Sequence, residues 1–163
     1  MTTARAKLRI YQKVSACEDS CTCGSIPYCW TRTVCRTRDS QGTKIIRYIG
    51  EKITHEESER RLATGNAYIF GLDERSALDG STPKNTARYI NHSCEPNCHT
   101  EQFGNTIWIV AIKDITAGEE LTYNYEYSID DEPPEPCHCG AKHCCGYILG
   151  PQYWDRVKQL ARQ

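Results

Sequence analysis

The chain has 163 residues, 39% of them hydrophobic, so it can bury one modest core, and its length does not call for a second full domain. Its 20 lysines and arginines nearly balance 21 acidic residues, and the net charge of -1 gives no field that would recruit nucleic acid or an anionic membrane. No run approaches the roughly 20 apolar residues of a membrane span, and the first residues lack an apolar signal stretch. We therefore expect a soluble, intracellular protein with no direct nucleic-acid or membrane partner.

Short strands dominate the elements predicted in chain order. Leu8 to Tyr11 is expected to form a first strand, and Gly42 to Gly50 predicts a turn followed by a β-branched strand. Further strands are predicted at Tyr68 to Leu72, at Ala77 to Leu78 and, after a Gly-Asn turn, at the nearly continuous apolar run Thr106 to Ile112. These segments predict a β core.

A first short helix is predicted after the strand that ends near Gly50. Thr54-His-Glu-Glu57 fits a capping box, in which the threonine hydroxyl and the glutamate satisfy backbone N–H groups at the helix start. Leu62 and Ala63 can face the core, and Gly65 supplies the stop.

The C-terminal part begins with an acidic, proline-rich stretch, Asp130 to Pro136, which predicts a linker after the core. A second short helix is predicted from Pro151 to Leu160, with Trp154, Val157 and Leu160 on one face.

Eleven cysteines are the strongest compositional signal. Without a signal peptide, metal binding is favoured over a disulfide framework. They fall into an N-terminal, a central and a C-terminal group: Cys17, Cys21, Cys23, Cys29 and Cys35; Cys94 and Cys98; Cys137, Cys139, Cys144 and Cys145.

The C-terminal group predicts a zinc site. Cys-x-Cys-x4-Cys at Cys137, Cys139 and Cys144 puts three thiols on one tight loop, and tetrahedral zinc then needs one further ligand. The local candidates for this ligand are His138, His143 and Cys145.

Three strings in order carry a family resemblance: Asn85-Thr-Ala-Arg-Tyr-Ile-Asn-His-Ser-Cys-Glu-Pro-Asn97, Gly118-Glu-Glu-Leu-Thr-Tyr-Asn-Tyr125 and Cys137-His-Cys-Gly-Ala-Lys-His-Cys144. They resemble the signatures of SET-domain protein lysine methyltransferases with a cysteine-rich post-SET zinc tail. The resemblance implies a mostly β, SET-type fold of small sheets with a pseudoknot, few short helices and a C-terminal zinc-binding tail. It places the SET core at 42–130, the tail at 131–150, a short helix at 151–163 and a divergent cysteine-rich segment at 1–41.

The family's zinc site implies a distant fourth ligand. In such tails the cysteine of the Asn-His-Ser-Cys motif, here Cys94, completes the site with Cys137, Cys139 and Cys144. Zinc would then clamp the tail over the core. Cys145 stands where the family usually has arginine.

The implied reaction is methyl transfer from S-adenosylmethionine to a lysine amine. By resemblance, Tyr125 matches the catalytic tyrosine and Tyr68 a second wall of the lysine channel. Tyr123 falls where the family carries phenylalanine or tyrosine, and tyrosine there implies mono- or dimethylation. Asn124 stands where aspartate is usual.

Four further residues match the family's cofactor-binding positions. Asn91 and His92 match the pair that holds S-adenosylmethionine, largely through backbone contacts to the adenine. Arg88 lies at a nearby position, and Tyr48 begins a matching strand motif, Tyr48-Ile-Gly-Glu51.

The resemblance ends upstream of Gly42. The family has Gly-x-Gly followed by alanine there, because glycine lets the backbone approach the cofactor, whereas this chain has Thr31-Arg-Thr33. One account is an extra zinc module formed by residues 16–41. A second is a shifted reading frame, because Trp30 to Gly42 can be encoded so that reading one nucleotide later gives Gly-Arg-Gly-Leu-Phe-Ala-Ala-Arg-Glu-Ile-Pro-Lys-Gly. True divergence, leaving a protein that does not bind the cofactor, is the third.

The function classes that remain are a zinc-containing lysine methyltransferase, a non-catalytic SET-like module that binds a peptide or partner, and a cysteine-rich zinc-binding adaptor. The first is favoured by the central motifs. A protein or peptide lysine is the implied substrate, with a histone tail as a candidate, and the location is expected to be cytoplasmic in a bacterium or nuclear in a eukaryote.

Overall fold

Three small β-sheets and two short helices make up residues 33–129 and 134–160, the part of the chain that the computed structural model describes. The helices are α1 (His55–Ala63) and α2 (Trp154–Leu160), and 3₁₀ turns cover Thr86–Tyr89 and Pro151–Tyr153. The strands of this part are β1 (Lys44–Tyr48), β2 (Glu51–Thr54), β3 (Ile69–Gly71), β4 (Ser76–Asp79), β5 (Asn91–His92), β6 (Cys98–Phe103), β7 (Thr106–Ala111) and β8 (Thr122–Tyr123). The mostly β fold is confirmed. The strand predicted at Leu8 to Tyr11, the first four N-terminal cysteines and residues 130–133 of the linker lie outside the described residues.

The first sheet pairs β1, β7 and β6 antiparallel and supplies much of the hydrophobic core. On β7, Ile107 and Ile109 are fully buried while Trp108 between them is half-buried, as expected where one face of a strand packs on a core. The predicted strand over these residues is confirmed, except that Ile112 lies beyond its end and is exposed.

The second sheet pairs β2, β4 and β3 antiparallel, and α1 packs against it. The threonine half of the predicted capping box is confirmed at the helix start, where Thr54 Oγ1 accepts a hydrogen bond from the Glu57 backbone N–H at 3.2 Å. The Glu57 carboxylate accepts hydrogen bonds from Arg60 and Arg61. Leu62 packs against the small cluster of Ile53, Ile69 and Ala77. The prediction for Ala63 is wrong, because Ser58 and Leu62 form the inward face and Ala63, one residue further, points to solvent.

The third sheet consists of only two short strands, yet it positions the site. β5 and β8 pair parallel, with Asn91 opposite Thr122 and His92 opposite Tyr123. The pairing brings the Asn-His-Ser-Cys motif beside the Leu-Thr-Tyr-Asn-Tyr motif, although the two lie far apart in sequence.

The segment upstream of Gly42 is joined to the core by isolated bridges from residue 33 onward. Its first residues pair with 119–121: the Cys35 N–H donates to the Glu119 carbonyl at 2.9 Å, and the Leu121 N–H donates to the Thr33 carbonyl at 2.8 Å. Cys35 is buried in the core and, among the described residues, belongs to no group of metal-binding side chains. The described end of this segment therefore runs beside the chain that leads to Tyr123.

The C-terminal tail closes on itself around its cysteines and then returns to the core. An isolated bridge pairs Pro136 with Tyr147, and the Gly150 N–H donates to the Tyr127 carbonyl at 3.0 Å. In α2, Val157 is buried and Trp154 packs on the core, which confirms the predicted face for these two residues; the side chain of Leu160 is not described.

Neither described helix has the length and apolar character needed to cross a membrane.

Candidate active site and metal centre

Four thiols meet where the tail reaches the core. The sulfurs of Cys94, Cys137, Cys139 and Cys144 all lie within 4.8 Å of one another. Cys94 Sγ is 3.8 Å from Cys137 Sγ and 3.6 Å from Cys144 Sγ. Tetrahedral zinc with thiolate bonds of about 2.3 Å separates its sulfurs by about 3.8 Å, so the donor set and its spacing suit a zinc ion.

The three local candidates for the fourth ligand lie outside this group. Cys145 Sγ donates to the Tyr147 carbonyl at 3.1 Å, and the His143 ring contacts the Glu95 carboxylate. His138 is exposed. Cys94, which comes from the central motif, is the residue that completes the group.

The surroundings act differently on the acidity of these thiols. Burial raises the pKa of Cys94 and raises that of Cys137 to about 12. Burial also acts to raise the pKa of Cys139, but hydrogen bonds from the backbone of Cys94 and Ala141 outweigh it and lower the value to about 7. Cys139 is therefore more acidic than Cys94 and Cys137, and a bound dication would favour the thiolate form of these two.

A cluster of tyrosines lies directly behind the thiols. The rings of Tyr123 and Tyr125 are 5.0 Å apart, and those of Tyr125 and Tyr127 are 5.8 Å apart. The Tyr125 hydroxyl donates to the Ile90 carbonyl at 2.8 Å. Burial raises the pKa of Tyr123 and Tyr125, so both remain protonated at neutral pH. The cluster thus forms an apolar wall with neutral hydroxyl groups.

The backbone at this point adopts an unusual conformation. Glu126, directly after Tyr125, has φ of 57°, which is uncommon for a residue other than glycine. Its N–H donates to Asn124 Oδ1 at 2.7 Å, while Asn124 Nδ2 donates to the Leu149 carbonyl at 3.3 Å. An aspartate at 124 could accept the hydrogen bond from the Glu126 N–H but could not donate one to the Leu149 carbonyl. These two bonds give a physical reason for an asparagine at this position.

Tyr68 and Arg88 meet in a separate place, on the wall of an open cleft. The Arg88 guanidinium lies 4.8 Å from the centre of the Tyr68 ring and 4.6 Å from that of Tyr89. The cleft has a volume of about 460 Å³ and is lined by Thr64, Gly65, Asn66, Ala67, Tyr68, Ser81 and Arg88. A guanidinium on such a wall suits a carboxylate ligand.

Tyr48 connects the cleft to the tyrosine cluster. Its hydroxyl donates to the Tyr68 carbonyl at 3.0 Å, and its ring is buried beside Phe70. Burial, followed by the nearby Tyr123 and Asp79, raises the pKa of Tyr48 well above its ordinary value. Among the described residues, the ring contact of Tyr68 is with Arg88 and not with Tyr123 or Tyr125.

Asn91 and His92 occupy β5 between the thiols and the tyrosines. Asn91 Nδ2 donates to Glu120 Oε1 at 2.8 Å. The buried His92 ring accepts a hydrogen bond at Nδ1 from the Tyr125 N–H, at 3.2 Å, and its Nε2 lies 3.5 Å from Cys94 Sγ. Burial lowers the pKa of His92 to about 4, so the ring is neutral at pH 7.

Two buried asparagines support the site but were given no role from the sequence. Asn97 Nδ2 donates to the Glu120 carbonyl at 2.8 Å, and its Oδ1 accepts from the Thr122 N–H at 2.9 Å. Asn85 Nδ2 donates to the Gly80 carbonyl at 3.0 Å. Asn85 and Asn97 are the first and last residues of the central motif. An asparagine at each end of that motif is the sequence feature that could have pointed to their supporting role.

The fold and the site together define a small β protein in which the cysteine tail closes against buried tyrosines. A family model described as SET domain matches residues 33–126, more than half of the chain. The chain therefore belongs to the SET-domain family.

Relatives from three organisms illustrate the range of the similarity. The H3 lysine-4 specific histone-lysine N-methyltransferase of Saccharomyces cerevisiae is 40% identical over 116 residues, which cover 64% of this chain and 11% of that protein. Histone-lysine N-methyltransferase ATXR7 of Arabidopsis thaliana is 41% identical over 107 residues, 60% of this chain and 7% of that protein. Histone-lysine N-methyltransferase trr of Drosophila melanogaster is 45% identical over 112 residues, 63% of this chain and 5% of that protein. The chain thus spans about a tenth or less of the length of these relatives.

Proposed function

We propose that the chain is a protein-lysine N-methyltransferase that uses S-adenosylmethionine and carries a structural zinc ion. The observation that carries this proposal is the position of Tyr125: its buried ring packs on Tyr123 and on His92, and its hydroxyl proton is directed to the Ile90 carbonyl. The relatives named as histone-lysine N-methyltransferases support the same class.

The lysine amine must lose its proton before it can act as a nucleophile. A free lysine has a pKa near 10.4, so deprotonation at pH 7 costs about 4–5 kcal/mol. A channel walled by the rings of Tyr123 and Tyr125 lowers this cost, because it withdraws the ammonium from water and so favours the neutral amine.

Tyr125 would orient that amine. Because its hydroxyl donates to the Ile90 carbonyl, the phenol oxygen presents its lone pairs to the channel and accepts a hydrogen bond from the amine. That bond fixes the direction of the amine lone pair, and alignment of this kind supplies much of the rate gain in a displacement. Tyr123 would narrow the channel, which favours mono- or dimethylation.

S-adenosylmethionine, when bound, supplies a methyl group on a positively charged sulfur. The Arg88 guanidinium, stacked between Tyr68 and Tyr89, suits the carboxylate of its methionine part. The backbone of Asn91 and His92 would hold the adenine. Tyr48 would act indirectly, because its hydroxyl bonds the Tyr68 carbonyl and holds that wall in place.

Zinc would be held by Cys94, Cys137, Cys139 and Cys144, whose sulfur separations suit it. Its part is structural, because all four positions are taken by thiolates. By joining Cys94 to three cysteines of the tail, it would keep the tail against the tyrosine site.

The substrate is proposed to be a lysine in a protein, and a histone H3 amino-terminal peptide is the first to test. The relative from Saccharomyces cerevisiae is named as H3 lysine-4 specific. In a eukaryotic source, a histone substrate would imply a nuclear location.

A non-catalytic peptide-binding module is the second candidate. The observation in its favour is Thr31-Arg-Thr33 where the family has Gly-x-Gly, because side chains there would keep the backbone from the cofactor. The backbone pairing of Cys35 with Glu119 supports the first candidate, since the chain that follows the motif is held against the segment that leads to Tyr123.

Calorimetric titration of the zinc-loaded protein with S-adenosylmethionine separates the two candidates. Micromolar binding is expected, followed by methyl transfer to the histone H3 peptide and none to the same peptide with arginine in place of lysine. Tyr125→Phe should reduce the turnover rate at least 100-fold, about 3 kcal/mol of transition-state stabilisation. Absence of cofactor binding by the folded, zinc-loaded chain would overturn the proposal and leave the binding module.

A further inference from the structure

The His92 side chain contacts both the four-thiol group and the segment that carries Tyr125. It is 8% exposed and uses both ring nitrogens: Nδ1 lies 3.2 Å from the Tyr125 backbone nitrogen, and Nε2 lies 3.5 Å from Cys94 Sγ. The cofactor contact proposed for this residue is made by the backbone. The imidazole therefore serves some other purpose.

The two contacts assign the tautomer of this ring. A backbone N–H can only donate, so Nδ1 must be the acceptor and carries no proton. In a neutral imidazole the proton is then on Nε2, which directs an N–H group at the Cys94 sulfur. A metal-bound thiolate is a better acceptor than a thiol, and partners of this kind orient a ligand and tune its basicity.

Each end of this ring reaches a different functional part. Cys94 lies 3.8 Å and 3.6 Å from the sulfurs of Cys137 and Cys144, so one nitrogen acts on the closure of the tail. The Tyr125 backbone carries the ring proposed to orient the amine, so the other nitrogen acts on the alignment of the tyrosine.

We propose that the His92 imidazole is a positioning residue that holds the Cys94 thiolate and the Tyr125 backbone in fixed relation, so that zinc binding by the tail and alignment of the tyrosine are coupled. The inference rests on the proposed function for its catalytic consequence, while its structural part concerns zinc and the ring alone. The alternative is a space-filling ring, for which the edge contact with Tyr125, at 5.3 Å between ring centres, would be sufficient.

The first test uses the unaltered, zinc-loaded protein. Long-range nitrogen–proton correlation by nuclear magnetic resonance identifies which ring nitrogen of His92 carries the proton. We expect the proton on Nε2 at pH 7. A proton on Nδ1, or rapid exchange between both tautomers, would overturn the proposal whether or not the protein transfers methyl groups.

The second test separates the two nitrogens with a pair of variants. In His92→Asn the amide oxygen can take the place of Nδ1 and keep the Tyr125 contact, but nothing reaches Cys94. In His92→Gln the amide nitrogen can reach the position of Nε2 and keep the Cys94 contact, while the bond to Tyr125 is lost. Thermal unfolding of each variant establishes that it is folded.

The measurements are zinc affinity in competition with a chelator, the sulfur-to-cobalt absorption bands of the cobalt-loaded protein, and kcat with KM for the cofactor. His92→Asn should lose about 10- to 100-fold in zinc affinity and shift the sulfur-to-cobalt bands to longer wavelength, because the thiolate loses its donor. His92→Gln should keep the zinc affinity and the bands but lower kcat with little change in KM. Equal effects of both variants on zinc and kcat, or unchanged cobalt bands in His92→Asn, would overturn the proposal.

The tests of His92 give an answer even if the proposed methyltransferase activity is absent. If the unaltered protein binds zinc but transfers no methyl group, the tautomer and the cobalt bands still decide the role of His92. If both variants fail to fold, the tautomer measurement on the unaltered protein decides it alone.

Discussion

The Asn124 carboxamide donates to the Leu149 carbonyl at 3.3 Å, which ties the segment between Tyr123 and Tyr125 to the end of the cysteine tail. The same carbonyl accepts a hydrogen bond from Trp154 Nε1 at 3.1 Å. One backbone oxygen thus joins the segment that carries the site tyrosines, the tail and the C-terminal helix.

Replacing this carboxamide should weaken the junction. Asn124→Asp keeps the acceptor for the Glu126 N–H but puts a carboxylate against the Leu149 carbonyl, so we expect the free energy of unfolding to fall by about 1–3 kcal/mol. The matched control is Asn105→Asp, at an exposed turn where the side-chain oxygen alone accepts from Lys52. Denaturant unfolding of both variants at pH 7 measures the difference. Equal stability of the two variants would contradict this account.

Two cysteines of the tail, Cys139 and Cys145, should behave differently towards zinc. Cys139→Ser removes a member of the four-thiol group, so the protein should lose one bound zinc ion relative to the parent chain. Cys145→Ser should bind as much zinc as the parent chain, because Cys145 Sγ is directed to the Tyr147 carbonyl. Metal content per chain, measured by mass spectrometry under non-denaturing conditions, gives the result. Loss of zinc from Cys145→Ser alone would reassign the fourth ligand.

The Tyr123 hydroxyl is expected to limit the number of methyl groups added. Tyr123→Phe removes the oxygen from a buried ring 5.0 Å from Tyr125 and so would widen the proposed channel by one oxygen atom. The variant should add one more methyl group per lysine than the parent at similar cofactor affinity. Mass spectrometry of the peptide product over time is the measurement, with Tyr147→Phe on the exposed tail as the control. An unchanged product distribution would remove Tyr123 from the channel.

Acid should remove the contribution of Glu57 to the stability of α1. Hydrogen bonds from Arg60 and then from Arg61 lower the pKa of Glu57 from 4.5 to about 2. Because the folded value is depressed, its contribution is fully present above pH 4.5 and is lost as the pH falls towards 2.

The test compares Glu57→Gln with the parent protein. The parent should melt at the higher temperature near pH 7, and the difference should shrink below pH 4.5. Glu56→Gln, in the same first turn and exposed, is the control for the helix dipole. A difference that stays constant down to pH 2 would show that the arginine pairs contribute nothing.

Secondary-structure elements that are determined by residues close together in the chain could be predicted from the sequence. The helix cap by Thr54 and the apolar run of β7 need no knowledge of distant residues, and both were confirmed. Cys94 could be joined to the tail from the motif resemblance, and the structure brings its sulfur to Cys137. The outward direction of Ala63 was missed, because it depends on how the helix is rotated on the sheet.

Contacts between distant segments could not be predicted from the sequence, because they depend on how those segments are aligned in the fold. The parallel pairing of Asn91 with Thr122 has no local signature in strands of two residues. The stacking of Arg88 on Tyr68 depends on how the 3₁₀ turn meets β3, and the role of Asn124 depends on the path of the tail. In each case the partner lies at least 20 residues away in the chain.

The parallel pair β5–β8 also has a consequence for the order of folding. Its strands enclose the hairpin of β6 and β7, and the cysteine tail must then return 43 residues to reach Cys94. Parallel and other non-local pairings form slowly, because the entropy of closing a long loop must be overcome before the contacts are made. The β6–β7 hairpin should therefore form early, while the tyrosine and thiol sites assemble last and are the first regions to open during native-state hydrogen exchange.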